Sequence, residues 1–180
     1  MKGFILGIIV TVVVIVGAIY IYCATGMAPV ATAAPELPFE HNLAKMALNA
    51  RIEKEMPKTV PIPADEANLI AGAHLYTEHC AVCHGLPDQP ATPIAKGMFP
   101  KATELFVKKG VTDDPPGENY WKAANGIRLS GMPGFKQSLS ETELWQTALL
   151  VTNADKLSPA VKAVLAQQTA ATPPPPGPGR

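Results

Sequence analysis

The sequence predicts an all-α protein, a small helical domain carried behind a single N-terminal transmembrane helix. Three observations support this. Phe4–Cys23 is an apolar run without a charged side chain. The polar segments after it repeat their apolar residues at three- and four-residue spacing, behind recognisable helix-start residues. No stretch alternates apolar and polar residues with the period of a half-buried strand.

The composition hides a strong asymmetry. Apolar residues make up 47% of the 180 and charged residues only 17%, but the apolar excess sits in the N-terminal run. Prolines crowd the other end, where Pro173–Arg180 is almost wholly proline and glycine. Net charge is zero, and between Asp65 and Lys156 the balance is 11 acidic to 8 basic side chains. Such a chain offers no broad basic surface, so no nucleic-acid partner is expected. Its three cysteines, at 23, 80 and 83, are too few for a disulfide scaffold or a four-thiolate zinc site.

The elements follow in order. Residues 1–23 read as a membrane anchor, because Phe4–Cys23 is long enough, at about 1.5 Å per residue, to cross the hydrocarbon of a bilayer. Tyr20 and Tyr22 stand at its far end, where interfacial aromatics are expected, and Cys23 reads as a small apolar residue of the span. Lys2, the one charge before the run, keeps the N-terminus in the cytoplasm and sends the rest outside. The competing reading is a cleaved signal peptide, with Ala31-Thr32-Ala33 as the cleavage site. Both readings export the same domain. The expected location is the bacterial inner membrane, single-pass, with the domain on the periplasmic side.

Residues 24–64 form a linker with a stalk helix at about 40–56, whose narrow apolar stripe is Leu43, Met46, Ala47 and Ala50; Pro57, Pro61 and Pro63 stop it. Residues 65–157 are the functional domain. Asp65 caps a helix that runs to about His79 with Leu69, Ile70, Ala73 and Tyr76 near one face. Lys101–Lys108 reads as a shorter helical turn. Gly117–Asn125 is a short helix between Asp114-Pro115-Pro116 and Asn125-Gly126. Ser140-Glu141-Thr142-Glu143 is a capping box opening a helix that buries Leu144, Trp145, Ala148, Leu149 and Thr152. Residues 158–180 hold one more helix, from Ser158-Pro159 to near Gln168, and a polyproline-like tail.

The chemistry lies in Cys80-Ala81-Val82-Cys83-His84. This is the C-x-x-C-H pattern of covalent c-type haem attachment. Two thiols at this spacing near a helix end can each reach a vinyl group on one edge of a porphyrin, which carries His84 under the iron as proximal ligand. A thioredoxin-type pair would want a βαβ context. Zinc would want further ligands beyond His74 and His79, and a disulfide between Cys80 and Cys83 would close a strained loop.

No histidine follows His84, so the sixth ligand comes from Met98 or Met132. Met132 sits 48 positions after His84, in a loop pinned by Gly131 and Pro133; that is enough chain to pass round a haem edge and present the thioether on the opposite face. Met98, 14 positions after His84, suits packing against the porphyrin better. The site residues are therefore Cys80, Cys83, His84 and Met132, with His84 and Met132 on the iron of one haem c.

Cys-Ala-Val-Cys-His-Gly, then Gly-Met-Pro-Gly-Phe, then a C-terminal helix with Leu144-Trp145, resembles a class I c-type cytochrome over about Asp65 to Lys156. The resemblance implies a class I cytochrome c fold, one haem, His/Met ligation and one-electron transfer. It also implies that the first and last helices of the domain cross closely, at Gly72 and Trp145. The segment Leu86–Pro93 departs from the glycine-rich loop of many relatives, and a carbonyl near Pro93 is expected to orient His84. Tyr120, Trp121 and Arg128 are candidates for the haem propionates; core packing and a solvated turn are the alternatives.

With both axial positions filled, an electron carrier is expected rather than an enzyme: a tethered shuttle between a redox donor and acceptor. A fixed haem c subunit of a stable multi-subunit oxidoreductase, and a peroxidase or gas sensor with a labile sixth ligand, are the alternatives. Lys96, Lys101, Lys108 and Lys109 form a local basic group suited to steering an acidic partner or to a solvated face.

Overall fold

The computed structural model describes residues 1–107 and 113–167. Lys108, Lys109 and the proline tail therefore lie outside the described residues. The chain divides into two compact units, Met1–Asn42 and the remainder from Leu43.

The first unit is dominated by helix α1 (Lys2–Ala24), none of whose residues is buried. Its length, about 1.5 Å for each residue, exceeds the hydrocarbon thickness of a bilayer. The hydroxyl of Thr11, the one polar side chain between Phe4 and Ala18, donates to its own helix at Gly7 O (2.9 Å). Between Phe4 and Ala18 the helix thus carries no unsatisfied side-chain donor. A helix this apolar with nothing packed on it is built for a non-aqueous surrounding.

Helix α2 (Glu40–Glu55) leads into the second unit. The stripe expected to be its apolar face, Leu43, Met46, Ala47 and Ala50, is exposed; Ile52 is buried instead, with Leu48 half-buried one turn before it.

The regular elements of the second unit after α2, among its described residues, are all helices: α3 (Glu66–His79), α4 (Ala81–His84), α5 (Pro93–Gly97), α6 (Pro116–Asn125), α7 (Glu141–Thr152) and α8 (Pro159–Gln167). The strand-like feature among those residues is an isolated antiparallel bridge between Ile127 and Met132. Local signals set the boundaries. Asp65 accepts from Asn68 N at 2.9 Å as the N-cap of α3. Ser140 and Glu143 form the capping box of α7. Residues 101–104 are not helical, contrary to the turn expected over Lys101–Lys108; the chain turns only at Leu105–Phe106.

Helix α7 is the centre of the domain, buried at seven of its positions from Leu144 to Val151. Helix α3 crosses it at Gly72. A Cβ there would collide with the carbonyl oxygen of Gln146 and lie 3.2 Å from Leu150 Cβ, so only glycine permits the approach. The crossing expected at Gly72 and Trp145 thus meets Gln146 and Leu150. Successive helix residues point about 100° apart, and Trp145 faces α6 instead, stacked on Tyr120 with ring centroids 4.3 Å apart. Helix α8 adds Val161 and Leu165 to a core that contains Ala73, Tyr76, Leu150, Val151 and Leu157.

Candidate functional site

The attachment motif begins where α3 ends. Cys80 is at once the C-cap of α3 and the residue before α4, and its N–H still donates to Tyr76 O at 2.8 Å. Its own carbonyl accepts from Cys83 N (3.1 Å) and His84 N (2.9 Å), so the motif is wound as a short helical turn continuing α3. Cys80 and Cys83 are unpaired thiols, both half-buried. Burial, with Cys83 close by, pushes the Cys80 thiol up to about 12. It is therefore a neutral S–H at physiological pH.

His84 is oriented through Nδ1, which lies 2.7 Å from the carbonyl oxygen of Thr103. A carbonyl only accepts, so Nδ1 carries the proton and Nε2 keeps its lone pair for a ligand. The orienting carbonyl is thus Thr103, ten residues beyond the expected Pro93. Pro93 is occupied otherwise, as the first residue of α5, whose N-cap Thr92 accepts from Ala95 N at 3.0 Å. The Thr92 hydroxyl donates to Val82 O (2.6 Å), tying the start of α5 to the motif. On the other side of the motif, the buried Tyr76 hydroxyl donates to Gly85 O at 2.6 Å. Burial chiefly, and the nearby Cys80, raise the pKa of Tyr76, so it stays a donor.

The methionine loop follows α6. The bridge bond from Ile127 N to Met132 O is 3.1 Å, and Met132 N donates to Ser130 Oγ at 3.3 Å. Met132 itself is half-buried. The loop is then fastened back to α6 by Phe135 N to Ala123 O (2.9 Å) and Lys136 N to Ala124 O (3.1 Å). Two contacts bring it to the motif side of the domain. The Phe135 ring lies 5.8 Å from the ring of His79, the residue before Cys80. Met98 Cε lies 3.0 Å from where a Cβ on Gly131 would stand. Both candidate methionines therefore belong to one neighbourhood, joined to the motif through α5.

Of the residues considered for propionates, Trp121 donates its indole N–H to Glu55 (3.2 Å), Tyr120 stacks on Trp145, and Arg128 is exposed. Sequence reasoning missed Thr103, because a backbone carbonyl leaves no side-chain signature, and missed the hydroxyls of Thr92 and Tyr76. Thr92-Pro93, a cap residue before a first-turn proline, was the readable signal for α5.

The residues fit a covalently held porphyrin. Two unpaired thiols flank a turn that ends in an imidazole with its Nε2 free. Among the described residues no group of three His, Cys, Asp or Glu side chains gathers to hold a metal ion directly. Among the described residues of 65–157, the large apolar side chains left exposed are Val82, Ile94, Phe99, Val107 and Leu129: in the motif, in the segments after it, and in the methionine loop. That distribution suits a large flat apolar group.

The family comparison agrees. Residues 67–150 match the family model described as cytochrome c oxidase, cbb3-type, subunit III. Among curated proteins none matches the chain. Among solved structures, the chain is similar to one described as a reducing HAO-like protein complex from Kuenenia stuttgartiensis, at 24% identity and a TM-score of 0.46, covering 57% of this chain and 52% of that one. The chain thus spans about half the length of that structural relative. The motif and its surroundings, together with the family match, support a c-type cytochrome domain over residues 67–150, and such a domain suggests haem-based electron transfer.

Proposed function

We propose that this protein is a membrane-tethered one-electron carrier with one haem c, held by thioethers to Cys80 and Cys83 and ligated by His84 and Met132. The observation that carries the reading is the Nδ1–H of His84 on the Thr103 carbonyl, which presents Nε2 from a turn bearing both thiols. Attachment would add the S–H of Cys80 and of Cys83 across a vinyl double bond each, leaving neutral thioethers. That suits Cys80, whose thiol is neutral.

When bound, the haem would supply the one-electron couple, and ligation by the Met132 thioether and the His84 imidazole would favour the reduced state relative to two imidazoles. The protein's own contribution is to hold the two ligands, keep water from the apolar faces and leave an edge near the surface. Residues 65–157 form the haem domain in this reading. Residues 1–23 stay uncleaved as a single-pass anchor in a bacterial inner membrane, with residues 24–64 as linker on the periplasmic side. Tethering raises the local concentration of the carrier at its donor and acceptor.

A second reading, a fixed haem c subunit of a larger oxidoreductase, is favoured by the description of the matching family, which is that of an oxidase subunit. Detergent purification separates the two: a shuttle elutes alone, whereas a subunit brings fixed partners in constant ratio.

The ligand assignment is tested by spectra of the oxidised wild type and Met132→Ala. The weak red absorption band of methionine-ligated ferric haem is expected in the wild type and absent from the variant. A five-coordinate wild-type spectrum would instead support a peroxidase or gas sensor. Retention of the band in Met132→Ala, with loss in Met98→Ala, would move the ligand to Met98.

A further inference from the structure

The linker does not simply end at the domain. Its last helical turn and the residue pair after it meet α6 at two points, Glu55 on Trp121 and Pro57 over Gly117. Ile52 is only 2% exposed. Glu55 accepts the Trp121 indole N–H at 3.2 Å and pairs with Arg51 at 2.6 Å. The carbonyl of Pro57 lies directly over Gly117, so that any Cβ at 117 would collide with it. A glycine in the first turn of a helix is a poor choice for helix stability, and the close approach of this strap gives it a reason.

The same helix holds the methionine loop. Ala123 and Ala124 at the end of α6 accept the backbone N–H groups of Phe135 and Lys136, just past Met132. Asn125 turns its side-chain amide back to Trp121 O at 2.9 Å. Trp121 therefore has its indole on the strap and its carbonyl bonded to the residue at which the loop leaves the helix. Helix α6 is also fixed to α7 by the Tyr120–Trp145 stack and by Asn119 Nδ2 to Thr152 Oγ1 (2.9 Å). Loss of the strap would thus loosen α6 rather than unfold it.

We propose that residues Ile52–Pro57 are a positioning element for the sixth ligand: they clamp α6 from outside and thereby hold the Met132 loop closed over the iron. The inference rests on the assignment of Met132 as ligand. Its physical basis is that a thioether binds iron more weakly than an imidazole, so the loop's own conformational preference decides how often the ligand is on. Tether and ligand loop then share one helix, and a displacement of the linker reaches the iron without touching the attachment motif.

The test uses the full-length holoprotein in detergent and imidazole as a competing ligand, which can bind the ferric iron only while Met132 is off. The apparent affinity for imidazole is then scaled by the methionine-off population. Ile52→Asp places a carboxylate at a buried position and disturbs the strap from its own side. Gly117→Ala expels it from the helix side while improving the intrinsic helix propensity of α6. In both, imidazole should bind about tenfold more tightly, and amide hydrogen exchange of residues 52–56 should accelerate. In a Met132→Ala background the same two changes should leave imidazole binding unaltered, because no ligand remains to be positioned.

If Met132→Ala itself does not tighten imidazole binding, the ligand assignment fails. If it does, while Ile52→Asp and Gly117→Ala leave the affinity at the wild-type value, the strap has no positioning role and the proposal is overturned. Tighter binding that persists undiminished in the Met132→Ala background would also overturn it, by showing a general loosening of the pocket.

Discussion

Tyr76 shows how one residue serves both core and motif. Its ring is fully buried and meets Phe106 edge-on, centroids 5.0 Å apart, while its hydroxyl reaches the carbonyl of Gly85 beside His84. Tyr76→Phe keeps the ring and removes the donor. The expected cost is about 1 kcal/mol in guanidinium unfolding of the holoprotein, the ordinary net value of one such bond. An unchanged midpoint would mean that Gly85 O finds water as good a partner. Because burial keeps the phenol protonated, this contribution should not vary between neutral and mildly alkaline pH. At this scale the sequence was legible where chemistry resides in side chains. Cys80, Cys83 and His84 announce themselves by spacing, whereas the Thr103 carbonyl that orients the histidine could be found only in three dimensions.

The helices owe their limits to local rules, and α7 allows the clearest test. The Ser140 hydroxyl and backbone N–H donate to the Glu143 carboxylate, both at 2.7 Å, and with a smaller pull from His79 they hold its pKa below the ordinary carboxylate value, against a slight desolvation effect. A lowered folded-state pKa means stability that is present above the unfolded-state value of 4.5 and is lost as pH falls through the folded one. Thermal melts of wild type and Glu143→Gln should therefore differ at neutral pH and converge in acid. Parallel curves would deny the carboxylate its part. Ser140→Ala should destabilise at neutral pH by about 1 kcal/mol.

Helices α3, α6 and α7 could be read from sequence to within a residue or so, because capping residues, prolines and glycines act on the chain nearby. The four-residue α4 and five-residue α5 are too short to show a period. The buried side of α2 was misread for a different reason. Leu43, Met46, Ala47 and Ala50 make the better stripe on paper, but Ile52 is buried, near the end of the helix where Glu55 and Pro57 meet α6. Only a tertiary contact chooses between two weak stripes.

For the molecule as a whole, sequence and structure agree on a bare apolar helix ahead of a helical domain. If α1 remains attached, the full chain should resist extraction from membranes by alkaline carbonate and yield only to detergent. A chain exported by a substitute cleavable signal and starting after residue 24 should appear in the soluble fraction with an unchanged haem spectrum. Recovery of the native protein in soluble form, shortened to begin near Ala34, would show that α1 is a signal peptide.

The C-terminal helix has a consequence for where such a domain can be cut. Ser158, just before α8, donates its hydroxyl to Glu66 at the start of α3 at 2.6 Å, and Val161 and Leu165 of α8 share the core with Tyr76. A truncation or fusion made before α8 would therefore open the core and release the start of α3 together. A junction that spares the fold has to fall after α8.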